Sequence, residues 1–589
     1  MLLILLVLLG AVPAAVSPSE DLDARRASFQ KLLKEQWEYT LSHSPEFASI
    51  LGDKRWNDKS SDMSVAEILR DQEMDKTFLK KFEAVDPTGF PEQEALTRTL
   101  LIRGYRESIE DAHWKNWEMP VTQINGLHLN APQLVSLLPF TTVKDYDDYT
   151  ARLKALPKQM EDITDRMRRG MADGLMPPKF LLSKVADQAN SIASQKPEDS
   201  AFAVPLTQMG PSISPQDRER LRAAILAAIR DAVDPSYARF AQFVRDEYAP
   251  RGRTEPGLWS LPDGVARYAT VVQRQTTTDK TPEEIHRIGL EQVARIEKEM
   301  NTVATKLGFA DWKALHVSIE KDSQRHFHSR EEILALYRKY IDQMKPQLPK
   351  LLGRLPKADV VVMPVESFRE KEASGAQYNQ GTPDGSRPGH VMVNTADPES
   401  RKTISVESTA YHEGVPGHHL QISIAQELEG LPPVRQQSFY TAFVEGWALY
   451  SERLGKEIGF YQDPYSDFGR LQDEMLRAIR LVVDTGLHSK KWTRQQVVDF
   501  FHAHSAIDEV EVQSETDRYI SDPGQALAYM IGQLKILELR ARAQKELGSR
   551  YDVRAFHDQV LDAGALPLDV LEARIDDWIA REKARPEKG

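Results

Sequence analysis

The sequence predicts a mainly α protein, a large bilobal helical body with a small β-sheet beside its cleft. Three observations predict it: helix-start signals recur, long stretches repeat apolar residues at three- and four-residue spacing, and only two short segments read as strands.

Taken in order, the first element stands apart from the fold. Leu2 to Val12 is an apolar run followed by small residues and then by Glu20 and Asp21. It is shorter than the roughly 20 residues that cross a bilayer core, so a signal peptide over residues 1–17 is expected rather than an anchor, with Val12-Pro13-Ala14 as the small-residue cleavage site. The absence of Lys or Arg before the run departs from the usual leader. An exported protein, periplasmic or secreted and without stable membrane insertion, is the expectation.

Helical periodicity then runs from Glu94 to Glu118, Tyr146 to Asp173 and Gln216 to Glu247. The Gly- and Pro-rich stretch from Ala249 to Gly264 separates an N-terminal helical part, 18–264, from a second part, 265–589, within one continuous domain. Thr281-Pro282-Glu283-Glu284 supplies an N-cap, a proline at the first helical position and an acidic first turn; Ser329 and Thr493 open similar runs, with Glu332 and Gln496 at the capping-box position. Asp359 to Met363 and His390 to Asn394 are the strand-like segments, and Ala373 to Gly389 reads as a loop between them. A further helix is expected from Asp473 to Leu487.

Composition narrows the function. The chain carries 76 Lys+Arg against 88 Asp+Glu, a net charge of −12, with no basic cluster of the kind that attracts a phosphate backbone, so nucleic acid is excluded as a main partner. With 41% hydrophobic and 28% charged residues the chain can build a packed core. It has no cysteine, which removes disulfides, thiol nucleophiles and thiolate metal ligands. Any metal must be held by His, Asp or Glu.

The segment that carries chemistry is Tyr411-His412-Glu413-Gly414-Val415-Pro416-Gly417-His418-His419-Leu420-Gln421. Three of 15 histidines fall between His412 and His419, where an even spread over 589 residues would place about 0.2. Neutral imidazoles suit Zn2+, and a glutamate beside the first ligand can take a proton from a water at the metal. The spacing is not the H-E-x-x-H of a continuous helix, because Pro416 occupies the fourth position after His412. His418 would lie on the opposite helix face from His412 unless Gly414 to Gly417 loop out, whereas His419 returns to the same face about 10.5 Å further along the axis. His418 is the favoured second ligand and His419 the alternate. Glu445, in Phe443-Val444-Glu445-Gly446-Trp447-Ala448-Leu449-Tyr450-Ser451-Glu452, is the third: a carboxylate among apolar residues requires a cation. Glu452, two turns on, is placed to orient a ligand histidine.

The ordered motifs DGSRPG, VNT, YHEGVPGHHLQ, FVEGWALYSE, RLVVDTGLH and PGQALAYMIGQ, between Asp384 and Gln533, resemble the bacterial family known as DUF885. That family in turn resembles the helical zinc metallopeptidases of the thimet oligopeptidase and angiotensin-converting enzyme kind, with two extra residues between Glu413 and the Gly417-His418 pair. The resemblance implies a metallopeptidase-like fold with Zn2+ on His412, His418 and Glu445, and Glu413 as general base toward a short peptide substrate. It also suggests Tyr529 as a substrate-contacting tyrosine and Tyr519 as an oxyanion donor. Arg480, Asp484 and His488 are four residues apart on one helix face, where Asp484 could bridge the other two, Arg480 could bind a substrate carboxylate and His488 could stabilise the tetrahedral intermediate. Arg387, on the loop, is a second carboxylate binder, and Asn394 ends a strand expected to lie beside an extended peptide. His502 and His504 read as surface or core residues. Two rivals remain at this stage, a zinc amidase or esterase acting on a non-peptide substrate, and an envelope protein that captures metal or peptide without turnover.

Overall fold

Side-chain caps set several of the helix starts. The computed structural model describes residues 21–365, 370, 373–385 and 387–586, so the expected signal peptide lies outside the described residues. Helix α1 spans Val143–Asp173, opened by a Thr142 and Asp145 capping box. Helix α2 spans Pro282–Lys306 behind the Thr281 and Glu284 capping box, and α3 spans Arg330–Met344 behind Ser329, whose hydroxyl accepts from the Glu332 N–H. Helices α4 (Val406–Glu413), α5 (His418–Glu427), α6 (Thr441–Glu457), α7 (Pro464–His488), α8 (Glu509–Ser521) and α9 (Ala528–Leu547) build the rest of the part that concerns function. Thr493 caps the helix Arg494–His504 with Gln496, as its sequence predicts.

In the N-terminal part the predicted run from Glu94 ends earlier, as a helix Glu92–Asp111 followed by two short 3-10 turns. The run from Gln216 is interrupted: π-helical turns at Ile229–Val233 and Val244–Tyr248 flank the helix Asp234–Phe243. Each adds a residue to its turn and so shifts the apolar stripe that follows. One hydrophobic core, from Val121 to Ala249, belongs to this part. A larger one is centred on the second part and takes in Leu100, Leu181, Leu258 and Leu261 from the first.

Close helix contacts in the larger core are made at glycines. A Cβ on Gly289 of α2 would lie 2.7 Å from the Val482 side chain of α7. A Cβ on Gly532 of α9 would lie 1.8 Å from the Ala442 carbonyl oxygen of α6, and one on Gly446 of α6 would lie 2.5 Å from Gly532 Cα. These backbones therefore touch, which brings Tyr529 on α9 alongside Glu445 on α6.

The sheet has three strands in the order β1 (Val360–Pro364), β3 (Gly389–Val393), β2 (Ala376–Asn379). Strand β1 runs parallel to β3, with Val362 opposite Val391, and β2 runs antiparallel to it, with Tyr378 opposite Val391. The sequence reading missed β2, which lies inside the expected loop. It also misplaced the edge: β3 is central, and β2 borders the sheet. Asn394 is accordingly not beside a substrate. Its buried amide donates to the Glu370 and Ala373 carbonyls at 2.6 and 2.9 Å and accepts from the Ala396 N–H at 3.0 Å, so it ties the loop and strand together.

Candidate metal centre

The interruption between His412 and His418 is a real break in the helix. Helix α4 ends at Glu413 and α5 begins at His418, with Gly414 to Gly417 leaving the helical path between them. Both glycines are required by close approach. A Cβ on Gly417 would sit 2.0 Å from the His412 carbonyl oxygen, and one on Gly414 would sit 2.7 Å from that of Ala410. The buried Trp447 of α6 donates its indole N–H to the Pro416 carbonyl at 2.8 Å, pinning the loop against the helix that carries Glu445.

The loop turns His418 back toward His412. The two rings stand perpendicular with centroids 4.8 Å apart. Glu445 Oε2 lies 3.5 Å from His412 Nε2 and 3.3 Å from His418 Nε2. The three donor atoms all lie within 4.8 Å of one another. Tetrahedral zinc with ligand bonds of about 2.0–2.1 Å separates neighbouring donors by about 3.3 Å, so the cluster is close to the size zinc requires. Glu445 Oε2 is buried and accepts no hydrogen bond in the protein, which also fits a cation at this point.

Glu452 lies behind the cluster, 2% exposed, and accepts the His412 Nδ1–H at 2.8 Å. That bond turns Nε2 toward Glu445. Burial alone would lower the His412 imidazole, but the Glu445 carboxylate facing it, the hydrogen-bonded Glu452 and the charge of Glu413 outweigh burial and raise it to about 9. Burial would raise the Glu445 carboxyl, but the two imidazoles beside it hold it well below the ordinary range.

Glu413 closes α4 next to His412 and is 9% exposed. Facing it is Tyr337 of α3, a residue the sequence reading did not single out; burial, then the charge of Glu413, pushes its phenol up. No motif surrounds Tyr337, and only the packing of α3 on α4 reveals it.

The other expected residues divide. Tyr529 stands near enough to Glu445 that this charge, after burial, raises its phenol. Its hydroxyl lies at 3.4 Å from both Arg518 and Gln525 donors, and the Arg480 guanidinium sits 4.7 Å above its ring. Arg480 itself is committed on two sides, donating to Glu515 and to the Tyr519 hydroxyl, each at 2.9 Å. Tyr519 in turn donates to Glu515, so its buried hydroxyl is fully engaged and acts in holding Arg480 rather than as a free oxyanion donor. His488 is also corrected. It accepts the Leu258 N–H at 3.0 Å and donates to the Tyr519 carbonyl at 2.9 Å, and burial brings it down to about 3, so it is a neutral core histidine. Asp484 bridges neither Arg480 nor His488; it accepts from the Tyr268 hydroxyl at 2.6 Å and from the Gly524 N–H. His419, the alternate ligand, points away from the cluster to the Tyr378 hydroxyl of β2 at 3.1 Å and the Ala358 carbonyl at 3.2 Å, and anchors the sheet to α5. His502 pairs with Glu509 on the surface. Arg387 lines a cavity beside α5.

Fold and site together define a mainly α protein with a buried His-His-Glu cluster of metal-ligating geometry. The chain belongs to the family described as "Bacterial protein of unknown function (DUF885)", whose model matches residues 45–575. It is similar to the crystal structure of a "putative lipoprotein" from Colwellia psychrerythraea, at a TM-score of 0.90 and 27% identity over 95% of this chain and 99% of that one. The structure of a "putative lipoprotein of unknown function" from Shewanella oneidensis follows at a TM-score of 0.68 and 17% identity, covering 92% and 99%, a likeness of fold alone. A "putative oligoendopeptidase F" from Bacillus anthracis str. Ames aligns over 88% and 97% at 13% identity, but its TM-score of 0.27 carries no weight. No curated protein matches. Among the described residues no helix is long and apolar enough to cross a membrane.

Proposed function

We propose that this chain is an exported zinc metallohydrolase that cleaves short peptides. The observation that carries the reading is the convergence of His412 and His418, from two sides of a helix break, with Glu445 of α6, and the carboxylate of Glu413 next to the first ligand. Export is supported by the apolar N-terminal run and small residues that follow it. When bound, zinc supplies Lewis-acid polarisation of the scissile carbonyl and acidifies a neighbouring water.

The chain's own residues do the rest. Glu452 fixes the His412 ring and its tautomer. Glu413 takes the proton of the attacking water and returns it to the leaving amine nitrogen as the C–N bond breaks. Tyr529, with its phenol held neutral, donates its O–H to the oxygen on which negative charge develops. Storage of a metal would need no carboxylate at Glu413, which favours hydrolysis over simple capture.

The test is turnover of a mixed peptide library by wild type, Glu413→Gln and Glu445→Ala, with zinc measured on each. Glu413→Gln is expected to keep its zinc and lose turnover by at least about 100-fold, the lower end of general-base contributions, and Glu445→Ala to lose both. Retained turnover in Glu413→Gln would overturn the mechanism.

A further inference from the structure

Beside the metal centre lies a cavity of about 290 Å³ bounded by β2, the loop that follows it, α5 and the start of α6. Its wall includes Gln421, three residues after His418 and so about 4.5 Å along the axis of α5. It also includes Val444, next to Glu445. The cavity is therefore lined by residues of the two helices that carry His418 and Glu445.

The wall has an unusual charge pattern for a protein of net charge −12. Arg387 is its sole charged residue, and the other polar side chains, among them Asn379, Gln380, Gln421, Gln437 and Ser438, are neutral. The Arg387 guanidinium is half-buried, donates to the Gln380 carbonyl at 3.3 Å, and pairs with no carboxylate among the described residues. Its Nε is buried without a partner. Burial pushes this guanidinium down, with only the neighbouring Tyr378 phenol opposing the shift. Gln421 is 3% exposed, and its Oε1 is also buried without a partner in the protein. Leaving such atoms unpaired is costly, and a ligand that pairs them recovers that energy. Arg480 differs in this respect, because Glu515 already neutralises it.

Resting on the metallopeptidase reading, we propose that this cavity is the subsite for the free C-terminal carboxylate of the substrate. The planar fork of Arg387 takes the carboxylate, and Gln421, whose amide oxygen and nitrogen are interchangeable by rotation, takes the last peptide N–H or the second carboxylate oxygen. The short span from Gln421 to His418 then places the scissile bond within a few residues of the chain end. The protein releases short C-terminal fragments, and the apolar side of the cavity, with Ile50 and Leu137, receives a side chain.

The experiment uses the zinc-loaded Glu413→Gln protein, which binds without turnover, and N-acetylated hexapeptide libraries identical except for a free acid or a carboxamide at the C-terminus. Bound peptides are quantified by mass spectrometry, in parallel with Arg387→Ala and Arg387→Lys versions whose melting is checked. A charge-assisted contact predicts about a 10- to 100-fold preference for the free acid. That preference falls below about threefold in Arg387→Ala and is partly restored in Arg387→Lys. Equal binding of acid and amide, no binding of either, an unchanged preference in a folded Arg387→Ala, or selection of acidic side chains regardless of the terminus would each overturn the proposal. Wild-type turnover of the same libraries is scored separately: a free-acid binding preference without turnover leaves the subsite standing and sinks the hydrolase reading.

Discussion

Glu452→Gln keeps the volume and one acceptor oxygen of a side chain that is 2% exposed, and removes its charge. The oxygen at stake accepts the His412 Nδ1–H at 2.8 Å. A hydrogen bond to a charged group is worth about 1.5–3 kcal/mol and a neutral one about 0.5–1.5 kcal/mol, so His412 is weakened as a ligand by roughly 1–2 kcal/mol. At 1.4 kcal/mol per factor of ten this is about a 5- to 30-fold rise in the zinc Kd, within the range for partners of metal-ligating histidines. The assay is competition for zinc against a fluorescent chelator of known affinity at fixed pH, with thermal melting to show that the variant folds. A folded variant whose zinc Kd changes by less than twofold would refute the claim that Glu452 holds His412 in ligating orientation.

Two further outcomes follow from the structure. Gly417→Ala drives a methyl group to within 2.0 Å of the His412 carbonyl oxygen, so the loop cannot keep its path; urea unfolding should show a loss of about 3 kcal/mol or more and elemental analysis a loss of zinc, while retained zinc with less than about 1 kcal/mol lost would contradict it. Burial lifts the Asp484 carboxyl to about 7, above the roughly 3.9 of an unfolded chain, so the folded state binds the proton more tightly; its contribution is present below pH 4 and is lost as pH rises to about 7, at up to about 1.4 kcal/mol per pH unit. Asp484→Asn should flatten that part of the stability curve measured by urea unfolding from pH 4 to 7.5, and an unchanged slope would show that Asp484 does not hold a proton in the folded state.

The parts of the fold that could be read in advance are those set by local chemistry. Thr281, Ser329 and Thr493 announce helix starts because a hydroxyl at the N-cap satisfies the backbone N–H three residues on in any context, and at Thr281 and Thr493 a Glu or Gln side chain returns the bond to the N-cap N–H. The apolar strings around Val362 and Val391 mark strands. Strand β2 was hidden because Ala376 to Asn379 is only four residues long and lies among turn-forming residues, and it forms because β3 offers it a partner. The continuously apolar character of β3, buried along most of its length, was the available signal that it is central, which would have removed Asn394 from the substrate side.

At the site, residue type and spacing brought His412, His418 and Glu445 into view, because a proline at the helical ligand position forces a break that only the flanking glycines can form. The helical stripe of Arg480, Asp484 and His488 misled, because spacing on one helix says nothing of what the next helix offers. Tyr268, Gly524 and the Leu258 backbone take up Asp484 and His488. Tyr337 stayed unseen for the same reason, being defined only by tertiary packing.

The most direct measurement is zinc stoichiometry by elemental analysis of the purified protein, in parallel with His418→Ala and His419→Ala. The account predicts about one zinc per chain, lost in His418→Ala and retained in His419→Ala, whose ring faces Tyr378 and Ala358 instead. Absence of zinc from wild type after incubation with the ion, or its loss in His419→Ala with retention in His418→Ala, would contradict the account.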